Sequence, residues 1–423
     1  MIHTLRCTAL GLVLISHSAT SSAQTLAETV QLALAHQSDV RLAGLQVDAR
    51  QADYALATAQ TGWRLDAQTE LGLGQVEAGA AIFPESGSRQ LQSFGLQLSK
   101  PLYTAGREQL GIEIAQTNIA SAEAAQLNTQ MQTRLQAISI HSALSRDLAI
   151  IALEQDSQQS LDRALSDANK RFKAGEVTRT DVAQARARQA LGVASQSRAQ
   201  ADWVIAQSRY RQLTGVEPVD IPLALPKPSL QPDLDTLLAA IARSPALQAA
   251  RQSVTAAEQQ LRLTGLQLKP TVQLTGHAVS QKDTDFSRNR IDSYGVSLQA
   301  SWPLLDGGIN QAERQRALAQ LSIAQAQYDS IQQQLEQKLR EDYAQLTTSR
   351  DQEAALIQAR DAAELALNTI RRELELGTRT TFDLLTAERD LLDTRTQLVL
   401  NQEEQSVRGY QVLADAGLLT QLP

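Results

Sequence analysis

The side chains that most often perform catalysis are few in this sequence and lie far apart. Beyond the first 23 residues the histidines are His36, His141 and His277, and the single cysteine of the chain is Cys7. No two of these residues have the spacing of a metal-binding pair, and no G-x-x-x-x-G-K-S/T phosphate loop occurs. The sequence therefore predicts no enzyme activity, no cofactor and no metal site, and the three histidines are expected near the surface.

Two short segments combine residue types that end one helix and begin the next. In each, a threonine stands three residues before an aspartate, which is the spacing of a capping box of reciprocal side chain to backbone hydrogen bonds. A glycine three residues before the threonine can adopt the left-handed conformation that ends a helix. The residues are Gly175, Thr178 and Asp181 in the first segment, and Gly377, Thr380 and Asp383 in the second. Each segment is therefore predicted to be a tight turn between two helices, and an aspartate repeated around a symmetry axis would form a ring of negative charge.

The two turns belong to an internal repeat. Gly106 and Gly175 are separated by 69 residues, and Gly308 and Gly377 are separated by the same distance along the chain. Such strict spacing indicates a duplicated structural unit. The predicted divisions are a first repeat at 24–217, a connector with five prolines at 218–232, and a second repeat at 233–423.

Long helices are predicted on both sides of each turn. The stretches 107–215 and 309–417 contain no proline, so nothing in them removes a helical N–H group or blocks a helical turn. Apolar residues in the second stretch recur mostly at steps of three and four, as in the seam of a coiled coil. These are Leu318, Leu321, Tyr328, Ile331, Leu335, Leu339, Tyr343 and Leu346. A helix from 107 to about 172 would be about 100 Å long at a rise of 1.5 Å per residue.

Each repeat also contains two segments in which apolar and polar residues alternate, which is the period of a β-strand with one apolar face. The segments are 65–74 and 94–99 in the first repeat, and 272–278 and 294–302 in the second. Such strands fit an outer membrane, but four strands cannot close a transmembrane barrel, which needs about eight. Because an open sheet edge in lipid leaves backbone amides without partners, two or more copies are predicted to share one barrel. The alternative is a small soluble sheet that caps a helical bundle.

The composition and the N-terminus exclude further classes. The net charge of −7 and the pI near 5.4 argue against nucleic-acid binding, which needs clustered Lys and Arg. The mean hydropathy of −0.26, and the lack of a run of about 18 apolar residues, argue against a membrane-spanning helix. Residues 1–23 place Arg6 before an apolar run and end in Ser-Ser-Ala. This order predicts an export signal peptide at 1–23 and a mature chain that begins near Gln24.

Taken in order, these segments resemble the TolC-type outer-membrane efflux proteins over essentially the whole mature chain. The resemblance is carried by P-L-x-x-x-G at 101–106, by the turn at 175–181, and by the segments 302–308 and 377–387. It implies a mainly α fold with transmembrane β-strands, in which a homotrimer forms one 12-stranded β-barrel continued by a long α-helical coiled-coil tunnel through the periplasm. It also implies a passive duct in the cell outer membrane. The duct would take substrates from an inner-membrane pump and a periplasmic adaptor, in tripartite efflux or type I secretion.

The resemblance further implies roles for residues of the two turns. The residues that would hold the periplasmic tip closed or set its charge are Thr180, Asp181, Arg379 and Asp383. The residues that would shape the turns and dock the adaptor are Gly175, Thr178, Gly377 and Thr380. Two positions depart from the family pattern, because Leu374 stands where an aromatic tether is usual and Thr386 where a second acidic ring is usual.

Two other classes of protein share parts of this pattern. A secreted filament or adhesin of coiled-coil hairpins can also be rich in alanine and glutamine and lack cysteine, but it would not need the alternating strands. A periplasmic adaptor has one central hairpin, whereas two hairpins of matched length are predicted here. Since the pump selects the cargo of such a duct, the sequence assigns no exported substrate.

Overall fold

The computed structural model describes residues 24–76, 87–228, 232–283 and 290–419. The predicted signal peptide at 1–23 and residues 229–231 of the proline-rich connector lie outside the described residues. In chain order the elements are α1 Leu26–His36, α2 Ser38–Ala59, β1 Arg64–Val76, β2 Gly87–Tyr103, α3 Arg107–Lys173, α4 Arg179–Thr214, α5 Leu234–Ala240, α6 Pro245–Thr264, β3 Thr271–Asp283, β4 Arg290–Ser301, α7 Ile309–Glu375 and α8 Thr381–Asp415. Within the described ranges, no helix has both the length and the apolar character needed to cross a bilayer.

By its internal contacts the chain divides into two compact units. The described residues of unit 1 fall in three ranges, 24–36, 134–228 and 346–409. Those of unit 2 fall in the ranges 37–133, 232–345 and 410–419. Each unit therefore combines segments from both halves of the chain.

The two longest helices confirm the helices predicted from the absence of proline. Both α3 and α7 have 67 residues, and α3 begins and ends within about one residue of the predicted bounds. The start of α7 is capped by Asp306, whose carboxylate accepts hydrogen bonds from the backbone N–H groups of Gly308 at 3.0 Å and Asn310 at 2.7 Å. These bonds provide partners for N–H groups that have none inside the helix.

The four strands form one antiparallel sheet in unit 2, in the order β1-β2-β3-β4. The register places apolar residues of neighbouring strands opposite one another, for example Leu65 opposite Leu98, and Leu274 opposite Leu298. Because side chains alternate between the two faces, most apolar residues of the four strands lie on one face, whereas Leu91, Val279 and Ile291 lie on the other. The apolar face is exposed in the single chain, where the side chain of Val296 is 77% exposed.

Seven of the eight strand ends extend beyond the predicted segments, and β4 ends one residue before its predicted end. Strand β2 is longer than the predicted segment and continues through Pro101, with a register irregularity between Pro101 and Tyr103 that accommodates the missing N–H group. Trp302 lies just beyond β4, and its indole Nε1 donates a hydrogen bond to the carbonyl oxygen of Leu268 at 3.1 Å. The alternation of residues predicts the strand cores correctly but not their ends, because the ends depend on cross-strand partners.

A buried polar cluster joins three helices of unit 1. The hydroxyl of Thr29 in α1 lies 2.9 Å from Nδ1 of His141 in α3, and 3.4 Å from the hydroxyl of Tyr210 in α4. All three residues are at most 2% exposed, and burial lowers the pKa of His141 to about 4. The prediction that His141 lies near the surface is therefore wrong, because its partners come from distant helices. His36 and His277 are exposed, as predicted.

A pair of aspartates is buried in unit 2. One carboxylate oxygen of Asp415 accepts hydrogen bonds from Nζ of Lys338 at 2.6 Å and Nε2 of Gln411 at 3.0 Å. Asp342 lies beside it, and both aspartates are 4% exposed. Burial raises the pKa of Asp415 to about 6, against the opposing effect of the Lys338 ammonium group.

This burial predicts a stability that falls as the pH rises from 3.8 to about 6. In that window the folded chain binds more protons than the unfolded chain, so the free energy of unfolding decreases by about 3 kcal/mol in total. Asp415→Asn is expected to flatten this dependence when apparent melting temperatures are measured by circular dichroism across the same pH range. Asp351→Asn, at an exposed position of α7, is the matched control and is expected to leave the slope unchanged. An unaltered slope for Asp415→Asn would contradict the prediction.

Two glycines with the same backbone angle provide a test of close packing. Gly417 and Gly377 both have φ of +75°. A Cβ atom at Gly417 would lie 2.7 Å from Cα of Ser244, whereas a Cβ atom at Gly377 would have no neighbour within 4 Å. We expect Gly377→Ala to cost about 1–2 kcal/mol of backbone strain. Gly417→Ala is expected to cost about 3 kcal/mol or more, because the clash adds to the strain. Equal shifts of the unfolding midpoint in denaturant would show that this packing is not tight.

Candidate functional site at the two helix turns

The first turn ends α3 by two backbone hydrogen bonds around a glycine. Gly175 has φ of +80°, which a residue without Cβ adopts freely. Its N–H group donates to the carbonyl of Phe172 at 3.0 Å, and the N–H group of Glu176 donates to the carbonyl of Arg171 at 2.9 Å. This is the pattern of a helix that ends in a left-handed residue, as the sequence predicted.

The second turn has the same backbone structure at the end of α7. Gly377 donates to the carbonyl of Leu374 at 3.1 Å, and Thr378 donates to the carbonyl of Glu373 at 3.0 Å. Since both turns use the same two bonds, they differ in the side chains that they display rather than in their backbone.

Both predicted capping boxes are present, and they start α4 and α8. Asp181 Oδ2 accepts from the backbone N–H of Thr178 at 2.8 Å, and Thr178 Oγ1 accepts from the backbone N–H of Asp181 at 3.3 Å. The corresponding distances between Thr380 and Asp383 are 3.0 Å and 3.2 Å. In each box the threonine hydroxyl also lies within hydrogen-bond distance of the carboxylate. The two aspartates are therefore structural parts of the turns, whatever further role their charge has.

The same bonds fix the charge of the two carboxylates. Hydrogen bonds from the backbone N–H and hydroxyl of Thr178 lower the pKa of Asp181. Those of Thr380 lower the pKa of Asp383 in the same way, with a smaller contribution from the Arg379 guanidinium. A carboxylate that accepts such bonds is more stable as the anion, so both aspartates are negatively charged at neutral pH.

The predicted gate residues are distributed between the two turns. Arg379 forms its ion pair with Glu373, at 2.8 Å between Nε and Oε2, and its attraction to Asp383 is the weaker of the two. Thr180 is exposed in the first turn of α4. At one position that departs from the family pattern, the Thr386 hydroxyl donates to the carbonyl of Phe382 at 2.9 Å, so it contributes no charge.

A cavity of about 610 Å³ lies beside the turns in unit 1. Its lining includes Arg163 and Arg171 of α3, Arg371 of α7 and Glu388 of α8. Arg371 and Glu388 form an ion pair of 3.2 Å, and burial raises the pKa of Glu388. These charged residues were not identified from the sequence. Arg371 lies four residues before the end of α7 and Glu388 seven residues after the start of α8, so these two residues lie on the two arms of one helical hairpin.

The comparisons with known proteins concern the whole chain. A sequence profile of the family described as outer membrane efflux protein matches residues 29–216 and 237–409. The chain is 27% identical to the outer membrane efflux protein BepC of Brucella suis biovar 1 (strain 1330), an alignment that covers 96% of this chain and 89% of BepC. It is 25% identical to the outer membrane protein TolC of Salmonella enteritidis, over 72% of this chain and 65% of TolC.

The fold is also similar to that of solved channels. The outer membrane protein VceC of Vibrio cholerae superimposes with a TM-score of 0.79, which covers 93% of this chain and 96% of VceC. The identity in this superposition is 22%, so the likeness concerns the fold.

Proposed function

Because the chain belongs to the outer membrane efflux protein family, and is thus an outer-membrane channel for efflux, we propose that three copies assemble into one continuous duct. The four strands of each copy would close a shared 12-stranded β-barrel in the outer membrane. The helices would continue it as a coiled-coil tunnel into the periplasm. Family membership does not favour the alternative of a secreted filament or adhesin.

The observation that carries this proposal is a sheet with one apolar face and two open edges. Among the described strands, β1 and β4 each pair on one side only. Their outer N–H and C=O groups would lack partners in lipid, and each such group costs several kcal/mol. Pairing of β4 of one copy with β1 of the next would provide these partners. It would also turn the apolar face of every copy towards the membrane.

We also propose that the chain is a duplicated unit divided at 24–217 and 233–423. In support, α3 and α7 have equal lengths, and α4 and α8 have 36 and 35 residues. Glycines with positive φ recur at the same offset of 202 residues in the pairs Gly106 and Gly308, Gly175 and Gly377, and Gly215 and Gly417. In a trimer, the two helical hairpins of each copy would therefore be equivalent building units of the tunnel wall.

The turns would form the periplasmic tip of the duct and its gate. Repeated three times, Asp181 and Asp383 would place rings of negative charge near the axis, where a narrow neck strengthens their field. Thr180 and Arg379 would complete the contacts that hold the tip closed. The hairpins would move outward when a periplasmic adaptor and an inner-membrane pump engage the tip. Since the chain has no phosphate loop, the energy for export would come from the pump.

The adaptor would dock on the outside of the same turns. Their backbone is shaped by Gly175 and Gly377 and by the capping hydroxyls of Thr178 and Thr380. The cavity of about 610 Å³ beside them offers a recess for a segment of the adaptor.

The assembly can be tested by cross-linking the two sheet edges. Thr69 of β1 and Val296 of β4 lie on the apolar face. Thr69→Cys combined with Val296→Cys is expected to give trimers with a flexible thiol cross-linker in detergent, and native mass spectrometry is expected to show three chains. Thr69→Cys with Ser297→Cys, whose side chain is on the other face, is the matched control. A monodisperse single chain in water, without detergent, would contradict the proposal.

A further inference from the structure

We propose that Arg171 is a latch between the two helical hairpins of one copy, and that it stabilises the closed gate. The first hairpin consists of α3 and α4, and the second of α7 and α8. Nη2 of Arg171, in the last turn of α3, donates a hydrogen bond to the carbonyl oxygen of Leu374 at 3.2 Å. Leu374 lies in the last turn of α7. The effect on the gate rests on the function proposed above, whereas the contact itself does not.

The position of the guanidinium favours a strong interaction. Carbonyl groups in the last turn of a helix have no partner inside the helix, and the end of the helix carries a partial negative charge. Leu374 accepts one bond from Gly377 within its own turn and a second from Arg171. Arg171 therefore places a guanidinium at the C-terminal ends of two helices, where a cation is favoured.

The corresponding position in the second repeat has a different use. A shift of 202 residues places Arg171 on Glu373, which has the opposite charge. Glu373 pairs with Arg379 inside its own turn at 2.8 Å. In the first turn Arg171 lies 3.9 Å from Glu176, which is beyond hydrogen-bond distance. The ion pair of the second turn thus stays within that turn, whereas Arg171 of the first turn donates its hydrogen bond to the other hairpin.

The surroundings make this bond important for holding the hairpins together. Arg171 and Leu374 both line the cavity of about 610 Å³, so open volume lies beside them instead of packed side chains. One buried apolar cluster that joins the two hairpins consists of Ala164, Ala168, Ala185 and Leu385. Where side-chain packing is incomplete, a charge-assisted hydrogen bond has a larger share in fixing the relative position of the two helix ends.

Movement of one hairpin away from the other has to break this bond. If opening of the gate separates the ends of α3 and α7, a contact present only in the closed state shifts the equilibrium towards closure. Loss of a hydrogen bond from a charged group is expected to raise the population of the open state about tenfold.

The test compares Arg171→Gln with Lys170→Gln in the full-length trimer. Lys170 also lines the cavity and pairs with Asp167 of its own helix at 3.2 Å, so its replacement removes the same charge without breaking a bond between hairpins. Spin labels at Lys173→Cys and Leu376→Cys, both exposed positions, report the distance between the ends of α3 and α7. Arg171→Gln is expected to lengthen and broaden this distance and to raise single-channel conductance in planar bilayers.

The latch is overturned if Arg171→Gln keeps the distance distribution of the unsubstituted protein, or if Lys170→Gln changes it equally. A protein that forms no channel in bilayers would contradict the proposed duct. The spin-label distance would still test whether Arg171 holds the two hairpins together. If the Arg171→Gln variant does not assemble, the spin-label distance is measured in the Arg171→Lys variant instead. Because lysine cannot reproduce the guanidinium geometry, a partial shift supports the latch and no shift overturns it.

Discussion

Val296→Lys is expected to prevent the chain from assembling in the outer membrane, whereas Ser297→Lys is expected to be tolerated. The two residues are neighbours in β4, but they lie opposite Gly276 and Thr275 and point to opposite faces of the sheet. Val296 lies on the apolar face that would contact lipid. A lysine there costs about 2–4 kcal/mol near the middle of the bilayer, and in a trimer this cost applies to every copy.

The measurement is the amount of trimer in the outer-membrane fraction, determined by electrophoresis without heating. Ser297→Lys is the matched control, because it introduces the same charge into the same strand on the face that would line the lumen. Equal amounts of trimer for the two variants would contradict the assignment of the apolar face to lipid. If only the Ser297→Lys variant failed to assemble, the two faces would have to be exchanged.

The double variant Asp181→Asn and Asp383→Asn is expected to raise the conductance of the channel and to reduce its preference for cations roughly threefold. The reason is the loss of the two rings of negative charge that the proposed trimer would place near its axis, together with the attraction between Asp383 and Arg379. Asparagine retains an oxygen that can accept the capping hydrogen bond, so the turns are expected to keep their structure. The measurement is the reversal potential across planar bilayers under a salt gradient.

A matched control separates the charge from the cap. The double variant Thr178→Val and Thr380→Val removes the hydroxyl groups that lower the pKa of both aspartates, but it keeps the carboxylates. At pH 7 it is expected to keep the cation preference of the unsubstituted protein. If it changed the reversal potential as much as the asparagine variant does, the effect would come from the turn structure and not from the charge.

The same hydrogen bonds predict the pH dependence of selectivity. They stabilise the ionised carboxylates, so the pKa of each aspartate lies below its ordinary value of 3.8. The cation preference is therefore expected to persist as the pH falls from 7 towards 3.8. In the Thr178→Val and Thr380→Val variant, the preference should decline at a higher pH. A preference that disappears near pH 6 in the unsubstituted protein would contradict this assignment.

The long helices and the turns between them were predictable because their causes are local. A stretch without proline, a glycine at the helix end and a threonine three residues before an aspartate each act within a few residues. Both capping boxes and both left-handed glycines are accordingly where the sequence placed them. The strand cores were predictable for the same reason, since alternation is a property of neighbouring residues.

The contacts that join distant segments were not predictable in this way. His141 is buried because Thr29, 112 residues away, provides a hydrogen-bond partner. Arg171 finds its partner 203 residues away, at a backbone carbonyl whose availability depends on where α7 ends. The ion pair of Arg371 and Glu388 needs the second hairpin to be folded before the two charges meet.

The sequence by itself determined the family, the helices, the turns and the alternating strands of this protein, because each depends on residue type and spacing along the chain. Only the tertiary structure decided which charges meet, which polar groups are buried and where the strands end. Those features depend on a second segment that folding brings within a few ångströms. The type of a residue and its neighbours along the chain do not indicate a partner that lies two hundred positions away.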